Sequence, residues 1–540
     1  MRVMRVFFVS LISLLIIPNI TLGTTYFVTF KYKKSVGYSI SDPSKYLTAK
    51  SIERRSKQRI TIDSTDLPVS RDYVAAVQSK VGKVLYTSKW LNGILVEATT
   101  EQANGLFTLD MVKDVDVAYV VLSSQVSQKL DDPYDFGNPG QSTGSVYGEA
   151  FEQVNLIKGQ YLHSKKFKGK GITVAVIDAG FENYEGLSVL SGRRSNVVDS
   201  YDYIAKSNFL RASDAHGTKI LSLLAGVNEG LFYGSAIDAS YALYITESNQ
   251  FEQKVEEYTW CLAAERADSI GVDIITSSLG YSKFDIASMN HTVADLSKNR
   301  VPVSVAAGLA AKKGILTVIS AGNEGNKAWG VITFPADASD VISVGAVTNV
   351  GRLGIFSSVG LPNTTKPEVV CMGVATSLVD ANGNIVKGNG TSYATPQIAG
   401  FAACLWEAFP KATALDIRTA ILKSSSNYAL PNNQIGYGIP DFEKAYLSLS
   451  QNYPTKDPVV SIGPNPFSTH FMIQTTTAFT GLGLYCIYDL QGRLLILGTL
   501  NFNRGVALLS DLGGLDSGLH LFKVIFEGVN VTTKIIKLAD

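Results

Sequence analysis

Hydrophobic and polar positions follow different rhythms in successive stretches of the chain. Near the start, Arg2 and Arg5 precede an apolar run over residues 6–17, and small residues follow near Gly23. A basic start, a short apolar stretch and small residues predict a secretory signal peptide over 1–23. The run is too short for a comfortable membrane span. Residues 24–122 mix short apolar or alternating segments (26–30, 95–98, 117–120) with a charged helical stretch at 49–58, which predicts a small α+β unit. Residues 123–148 are rich in Ser, Gly, Asp, Gln and Pro without periodicity and read as an exposed linker. Over 149–450 the rhythm alternates. Apolar strands are predicted at 171–177, 273–275, 315–320 and 341–347. Helices are predicted at 219–225 (opened at His216), 251–267, 303–313 and 392–406. Alternating strands and helices predict an α/β domain with a doubly wound parallel sheet, whose sites lie at the carboxyl ends of strands. Over 451–540 the pattern changes again. Pro454, Pro458, Pro464 and Pro466 mark a boundary. Short strands at 471–474, 485–488, 519–526 and 533–538 predict a small β-sandwich.

Composition narrows the class. At 540 residues the chain needs two to four domains, and 46% hydrophobic with 18% charged residues describes a globular protein. A net charge of +1 gives no electrostatic case for nucleic acid as a partner. The four cysteines, Cys261, Cys371, Cys404 and Cys486, show no metal-ligand spacing. A large core needs no disulfide staples, so they read as free and buried.

Three segments carry chemistry. Val174-Ala175-Val176-Ile177-Asp178 puts a carboxylate at the end of an apolar strand, where it needs a partner. His216-Gly217-Thr218 opens a helix with a small, apolar face; of the other histidines, His470 and His520 lie in the last unit, and His163 and His291 sit in polar surroundings. Gly390-Thr391-Ser392-Tyr393-Ala394-Thr395-Pro396 places a serine at a helix start, where free N–H groups favour negative charge. The reading tolerates Pro396 as a residue of the first turn. A serine hydroxyl is a poor nucleophile until a base removes its proton, and a histidine held by an acid supplies that base. Ser320-Ala321-Gly322-Asn323-Glu324-Gly325 follows another apolar strand and, taken alone, is good turn chemistry.

In the order Asp, His, Ser, these segments resemble the subtilisin-like serine peptidases, over the whole of the middle region. The resemblance implies a subtilisin-like fold and a secreted serine endopeptidase acting on polypeptides through an acyl-enzyme. Asp178, His216 and Ser392 would be catalytic, and Asn323 would donate to the oxyanion. Ser277-Ser278-Leu279-Gly280 would line the substrate, and Thr333 would lie at the primary pocket's floor. Thr333 is not acidic, so the pocket favours a medium or large apolar side chain over Arg or Lys. The chain departs from the family at Lys219, at Glu368-Val369-Val370-Cys371-Met372-Gly373, and at Tyr393, where methionine is frequent. No cofactor is required for the chemistry; calcium is common in the family, but no compact run of oxygen ligands places it here.

The first unit resembles the family's propeptide, which assists folding and blocks the cleft as an intramolecular inhibitor. The linker would then hold the processing site. An independent binding domain is the alternative. In the last unit, Pro464-Asn465-Pro466-Phe467, Tyr488-Asp489-Leu490-Gln491-Gly492-Arg493, Gly518-Leu519-His520-Leu521-Phe522 and Lys534-Ile535-Ile536-Lys537 resemble the C-terminal sorting domain of the type IX secretion system. That implies the secretion machinery as a partner and delivery to the cell surface or medium; a carbohydrate-binding or adhesive sandwich is the alternative. Two rival functions stand against the peptidase. A silent surface adhesin would have no reason to keep all four residues. An esterase usually shows a Gly-x-Ser-x-Gly elbow with the serine first.

Overall fold

The computed structural model describes residues 24–34, 37–121, 145–210, 214–453, 460–475, 479–526 and 529–539. The expected signal peptide and nearly all of the linker lie outside these residues.

The first unit is a four-stranded antiparallel sheet in the order β2-β3-β1-β4, formed by β1 (Thr24–Phe30), β2 (Lys83–Ser88), β3 (Gly93–Ala98) and β4 (Val112–Tyr119). Helices α1 (Ala49–Lys57), α2 (Arg71–Gln78) and α3 (Thr100–Gly105) complete it. Strand period decides its two faces. Tyr26, Val28 and Phe30 enter the unit's own core, while Phe27 turns outward and stacks on Tyr258 with ring centroids 4.2 Å apart. The half-exposed β2 had no alternating signal and was not anticipated.

The middle unit follows the α/β reading. Two short helices, α4 (Phe151–Leu156) and α5 (Gln160–Ser164), lead into β5 (Thr173–Asp178). Then come β6 (Val197–Asp202), α6 (His216–Ala225), the hairpin β7 (Val227–Asn228) and β8 (Phe232–Tyr233), and β9 (Ser240–Ile245). The second half runs α7 (Val255–Ile270), β10 (Ile274–Ser277), α8 (Pro302–Lys312), β11 (Leu316–Ser320), β12 (Ile342–Val347) and β13 (Val369–Met372). A second hairpin, β14 (Thr376–Val379) and β15 (Ile385–Gly388), precedes α9 (Thr391–Ala408), α10 (Ala414–Ser424) and α11 (Phe442–Ser450). Seven strands pair in parallel in the order β13-β12-β11-β10-β5-β9-β6. Along β5, Val174 and Val176 face one core with α6 and α9, and Ala175 and Ile177 face the other with α7 and α8. Burial on both faces is why these strands read as continuous apolar runs. The chain leaves β5 toward β9 and β6 and later returns beside it as β10, so strand order reverses between β5 and β10. That is where such sheets open a crevice.

Three readings are corrected. The helix expected from 251 begins at Val255; just ahead of it the Gln253 N–H donates to the Glu256 carboxylate at 3.0 Å, a side-chain cap on the first turn. Pro396 lies in the second turn of α9, not the first. His163 and His291 do not sit in polar surroundings: His163 is enclosed by Tyr147, Tyr233 and Phe401, and His291 by Phe284, Phe334 and the buried Glu257. Tyr147, in the stretch assigned to the linker, is itself buried on His163. The four cysteines are free and buried.

The last region forms two antiparallel sheets around one apolar core containing Phe467, Phe471, Ile487, Phe502, Phe522 and Phe526. One sheet is ordered β16-β17-β20 and the other β19-β18-β21-β22. Their strands are β16 (Val460–Gly463), β17 (Phe471–Thr475), β18 (Gly481–Tyr488), β19 (Leu494–Phe502), β20 (Val506–Leu509), β21 (Gly518–Phe526) and β22 (Val529–Lys537). Among the described residues, no helix is long and apolar enough to cross a membrane.

Candidate active site

Asp178 ends β5 with no exposed surface. One of its oxygens accepts the Ala179 N–H at 2.8 Å and the Nδ1 of His216 at 2.7 Å. The other carboxylate oxygen is buried with no partner among the described residues. His216 is the first residue of α6, and its side chain remains 24% exposed. Because Nδ1 is taken by the acid, Nε2 is the nitrogen left for chemistry. Burial lowers the basicity of His216, but the Asp178 charge, its hydrogen bond and the nearby Asp214 outweigh this and push the pKa up to about 9. Asp214 also accepts the His216 backbone N–H at 2.6 Å and so fixes the start of α6. Sequence reasoning missed Asp214; an acidic residue just ahead of a helix start was the available signal.

Ser392 stands in the first turn of α9. The Pro396 ring removes the N–H that would bond the Ser392 carbonyl. That carbonyl instead accepts the Ser278 hydroxyl at 2.9 Å, while the Ser392 hydroxyl donates to the Ser278 carbonyl at 3.2 Å. Proline thus frees a backbone group that ties the serine turn to the end of β10. The Ser392 hydroxyl is turned to Ser278 rather than His216; rotation about its Cα–Cβ bond redirects it, and such contacts commonly tighten only with substrate bound.

Asn323 follows β11. Its side-chain oxygen accepts from both the Thr391 N–H and the Thr391 hydroxyl, each at 3.0 Å. Two donors fix which end of the amide faces Thr391, so its NH2 is presented on the other side. The first-turn N–H groups of α9 lie beside it without intrahelical acceptors.

The residues expected to line substrate divide. Ser277 is inside the sheet, paired to Ile177 and Ile319, and its hydroxyl accepts from Trp260 Nε1 at 2.9 Å. Its backbone and side chain are committed to the core, so it is not free to pair with a peptide. Leu279 is buried in the same core, and Gly280 is exposed. Thr333 is buried, and its hydroxyl has no partner among the described residues. A Cβ on Gly280 would come within 2.2 Å of the Thr333 hydroxyl, and one on Gly322 within 2.8 Å. Both glycines are therefore required by the threonine between them. Among the described residues, no group of three or more His, Cys, Asp or Glu side chains converges as metal ligands.

Known families match the chain in two regions. The model of the subtilase family matches residues 169–438. The model of the peptidase S8 propeptide domain of Bacteroidota matches residues 25–132. Subtilisin NAT of Bacillus subtilis subsp. natto is 28% identical over 374 residues, covering 68% of this chain and 84% of that protein. Subtilisin of Bacillus pumilus is 29% identical over 297 residues, covering 54% and 97%. The solved structure of the MycP3 protease from the type VII (ESX-3) secretion system aligns with a TM-score of 0.45 at 24% identity, covering 60% of this chain and 99% of that one. The chain belongs to the subtilase family and is a serine peptidase made with an N-terminal propeptide.

Proposed function

We propose that Ser392, His216 and Asp178 form the catalytic triad of an exported endopeptidase. The observation that carries this is the 2.7 Å bond from His216 Nδ1 to a buried carboxylate. Asp178 sets the tautomer and stabilises the imidazolium. His216 Nε2 takes the Ser392 proton as Oγ attacks the scissile carbonyl, then gives it to the leaving amine. Water repeats the cycle on the acyl-enzyme. The Asn323 amide and the Ser392 N–H hold the oxyanion, a task suited to donors fixed before the reaction. Each step is assigned to a group of the chain, and no cofactor is required for it.

Residues 278–280 offer backbone to an extended peptide, which adds as a strand. Thr333 carries no charge to receive Arg or Lys. A medium or large apolar side chain is favoured before the cut. Residues 24–122 act as the inhibitory propeptide, with 123–148 holding the processing site and 149–450 the peptidase. Residues 1–23 direct export, and 451–540 serve as a type IX sorting unit that delivers the enzyme to the surface or medium.

The test compares the purified precursor with Ser392→Ala, reading protein masses and casein cleavage. The wild type sheds its first unit within 123–148 and cuts casein, and the variant does neither. Identical behaviour of the two, even after another protease removes the first unit, would sink the triad assignment. For the last unit, deleting 451–540 in the native host leaves the enzyme in the periplasm; unchanged release to the medium would remove the sorting role.

A further inference from the structure

Asp268 lies in the last turns of α7, close to the helix's negative end. It has no exposed surface. A carboxylate in that position is disfavoured for a peptidase standing alone. Its partners all come from the first unit: Arg54 at 2.6 Å, Arg55 at 2.9 Å and Lys89 at 3.0 Å. The exchange is reciprocal. Lys313, just past α8 and 3% exposed, reaches back to Asp66 at 2.9 Å and Asp63 at 3.1 Å. Arg55 joins the two halves by bonding Asp66 at 2.7 Å as well.

Around these charges, α1 and the residues flanking it add donors to carbonyls at the carboxyl ends of α7 and α8, beyond the glycine caps those helices already have. The Arg54 guanidinium donates to the carbonyls of Val272 at 2.6 Å and Lys313 at 3.3 Å. The Ser51 hydroxyl donates to the Asp268 carbonyl at 2.7 Å, the Thr48 N–H to Ser269 at 3.0 Å, and the Gln58 amide to Gly314 at 2.7 Å. Shape agrees with charge. Gly271 and Gly314 have φ of +88° and +83°. A Cβ on Gly271 would lie 2.7 Å from the Ser51 backbone nitrogen, and one on Gly314 would lie 2.7 Å from Ile60 Cδ1.

Buried ion pairs add little net stability compared with apolar packing, but a mismatched one is costly, so they serve specificity. We propose that the carboxyl ends of α7 and α8, with Asp268 and Lys313, form a recognition surface for a helix bearing an adjacent arginine pair. Through it the peptidase unit holds its own propeptide as a separate chain after the linker is cut. A propeptide without that pair would leave Asp268 buried with Lys89 in place of three cations, and is rejected. The inference rests on the propeptide and is independent of the catalytic roles proposed above.

The test uses the full precursor silenced by Ser392→Ala, with a site for a foreign, sequence-specific protease placed within residues 122–144. After cutting, the dissociation rate of the first unit is measured by dilution. Retention is expected in the parent. Faster release, by about a hundredfold or more, is expected for Asp268→Asn and for Arg54→Gln with Arg55→Gln. Lys45→Ala, which breaks only an exposed pair within the first unit, should leave the rate unchanged. Should Asp268→Asn fail to fold, Arg54→Lys keeps the charge but cannot span the Val272 and Lys313 carbonyls, and should also speed release. Prompt loss of the parent's first unit on cutting, or parental rates in Asp268→Asn or Arg54→Lys, would overturn the proposal. None of these readouts depends on catalysis, so failure here and failure of the triad assignment remain distinguishable.

Discussion

Asp178 and Asp268 are both carboxylates without exposed surface, and they are held in opposite ways. Asp268 meets three cations of the first unit, which override burial and hold its pKa down at about 2. Asp178 has one imidazole and one backbone N–H on a single oxygen, and its second oxygen has no partner among the described residues. A saturated acid fixes two pieces of chain against each other. An acid left under-bonded retains its capacity to respond when charge develops on its histidine. On the roles proposed above, the difference separates a group that specifies assembly from one suited to catalysis, although both are buried ion pairs by distance.

The contrast breaks most sharply at Asp178. Asp178→Asn keeps the shape but donates where an acceptor is required, so His216 loses its tautomer. The expected loss in kcat is about 10⁴-fold with little change in KM, measured on a peptide substrate with propeptide-free enzyme. A loss within tenfold would mean that the acid is structural and that the two sites do not differ as argued.

The saturated acid should respond differently. Asp268→Asn in the Ser392→Ala precursor removes a partner from three buried cations. It should destabilise by about 3–5 kcal/mol, read by denaturant unfolding. The pH dependence has a definite sign. Because the folded pKa is depressed, the Asp268 contribution is complete above its unfolded pKa of about 4 and fades as pH falls toward about 2. The parent should therefore lose more stability over that window than the variant. Equal slopes would show that Asp268 is not the group that titrates.

Asn323 tests whether the donors near Ser392 are as specialised as the acid. Asn323→Ala should lower kcat by about 10²–10³-fold with KM nearly constant, since the amide is used only when the oxyanion forms. A matching rise in KM would instead assign Asn323 to ground-state binding.

These two regions were unequally legible in the sequence. Asp178, His216, Ser392 and Asn323 sit where local rules speak: at ends of apolar strands and starts of helices, among small residues. The central strands β5, β11 and β12 were visible because both their faces are buried. In contrast, β6 has a half-exposed face, and β9 sets Ser240, Tyr241 and Tyr244 among its apolar residues. Neither was anticipated. The Asp268 cluster left no trace, since Arg54 and Arg55 look like the solvated face of a charged helix. Their partner lies 214 and 213 residues away, and burial alone gives the pair its meaning. Ser277 erred the other way. A motif assigned it to substrate, but pairing on both sides commits it to the sheet. Thr391 was read only as part of the serine motif, because its hold on Asn323 requires β11 and α9 to meet.

The smallest effect is the most diagnostic of how the His216 imidazole is tuned. Asp214 accepts the His216 backbone N–H and adds a second negative charge near the ring. Asp214→Asn keeps an oxygen able to accept that bond and removes only the charge. His216 must be neutral to act as a base, so kcat/KM rises as pH passes its pKa, which is raised to about 9. Removing an anion lowers that pKa, so the acid limb should move to lower pH by up to about one unit, equivalent to about 1.4 kcal/mol. Stability must follow with the matching sign. A raised folded pKa contributes stability that is complete below about 6.5 and lost as pH rises through about 9. That alkaline loss, measured in the Ser392→Ala precursor, should therefore be smaller when Asp214→Asn is added. An unmoved acid limb with unchanged helix content would reduce Asp214 to a cap on α6 and leave Asp178 as the anion that raises the imidazole's pKa.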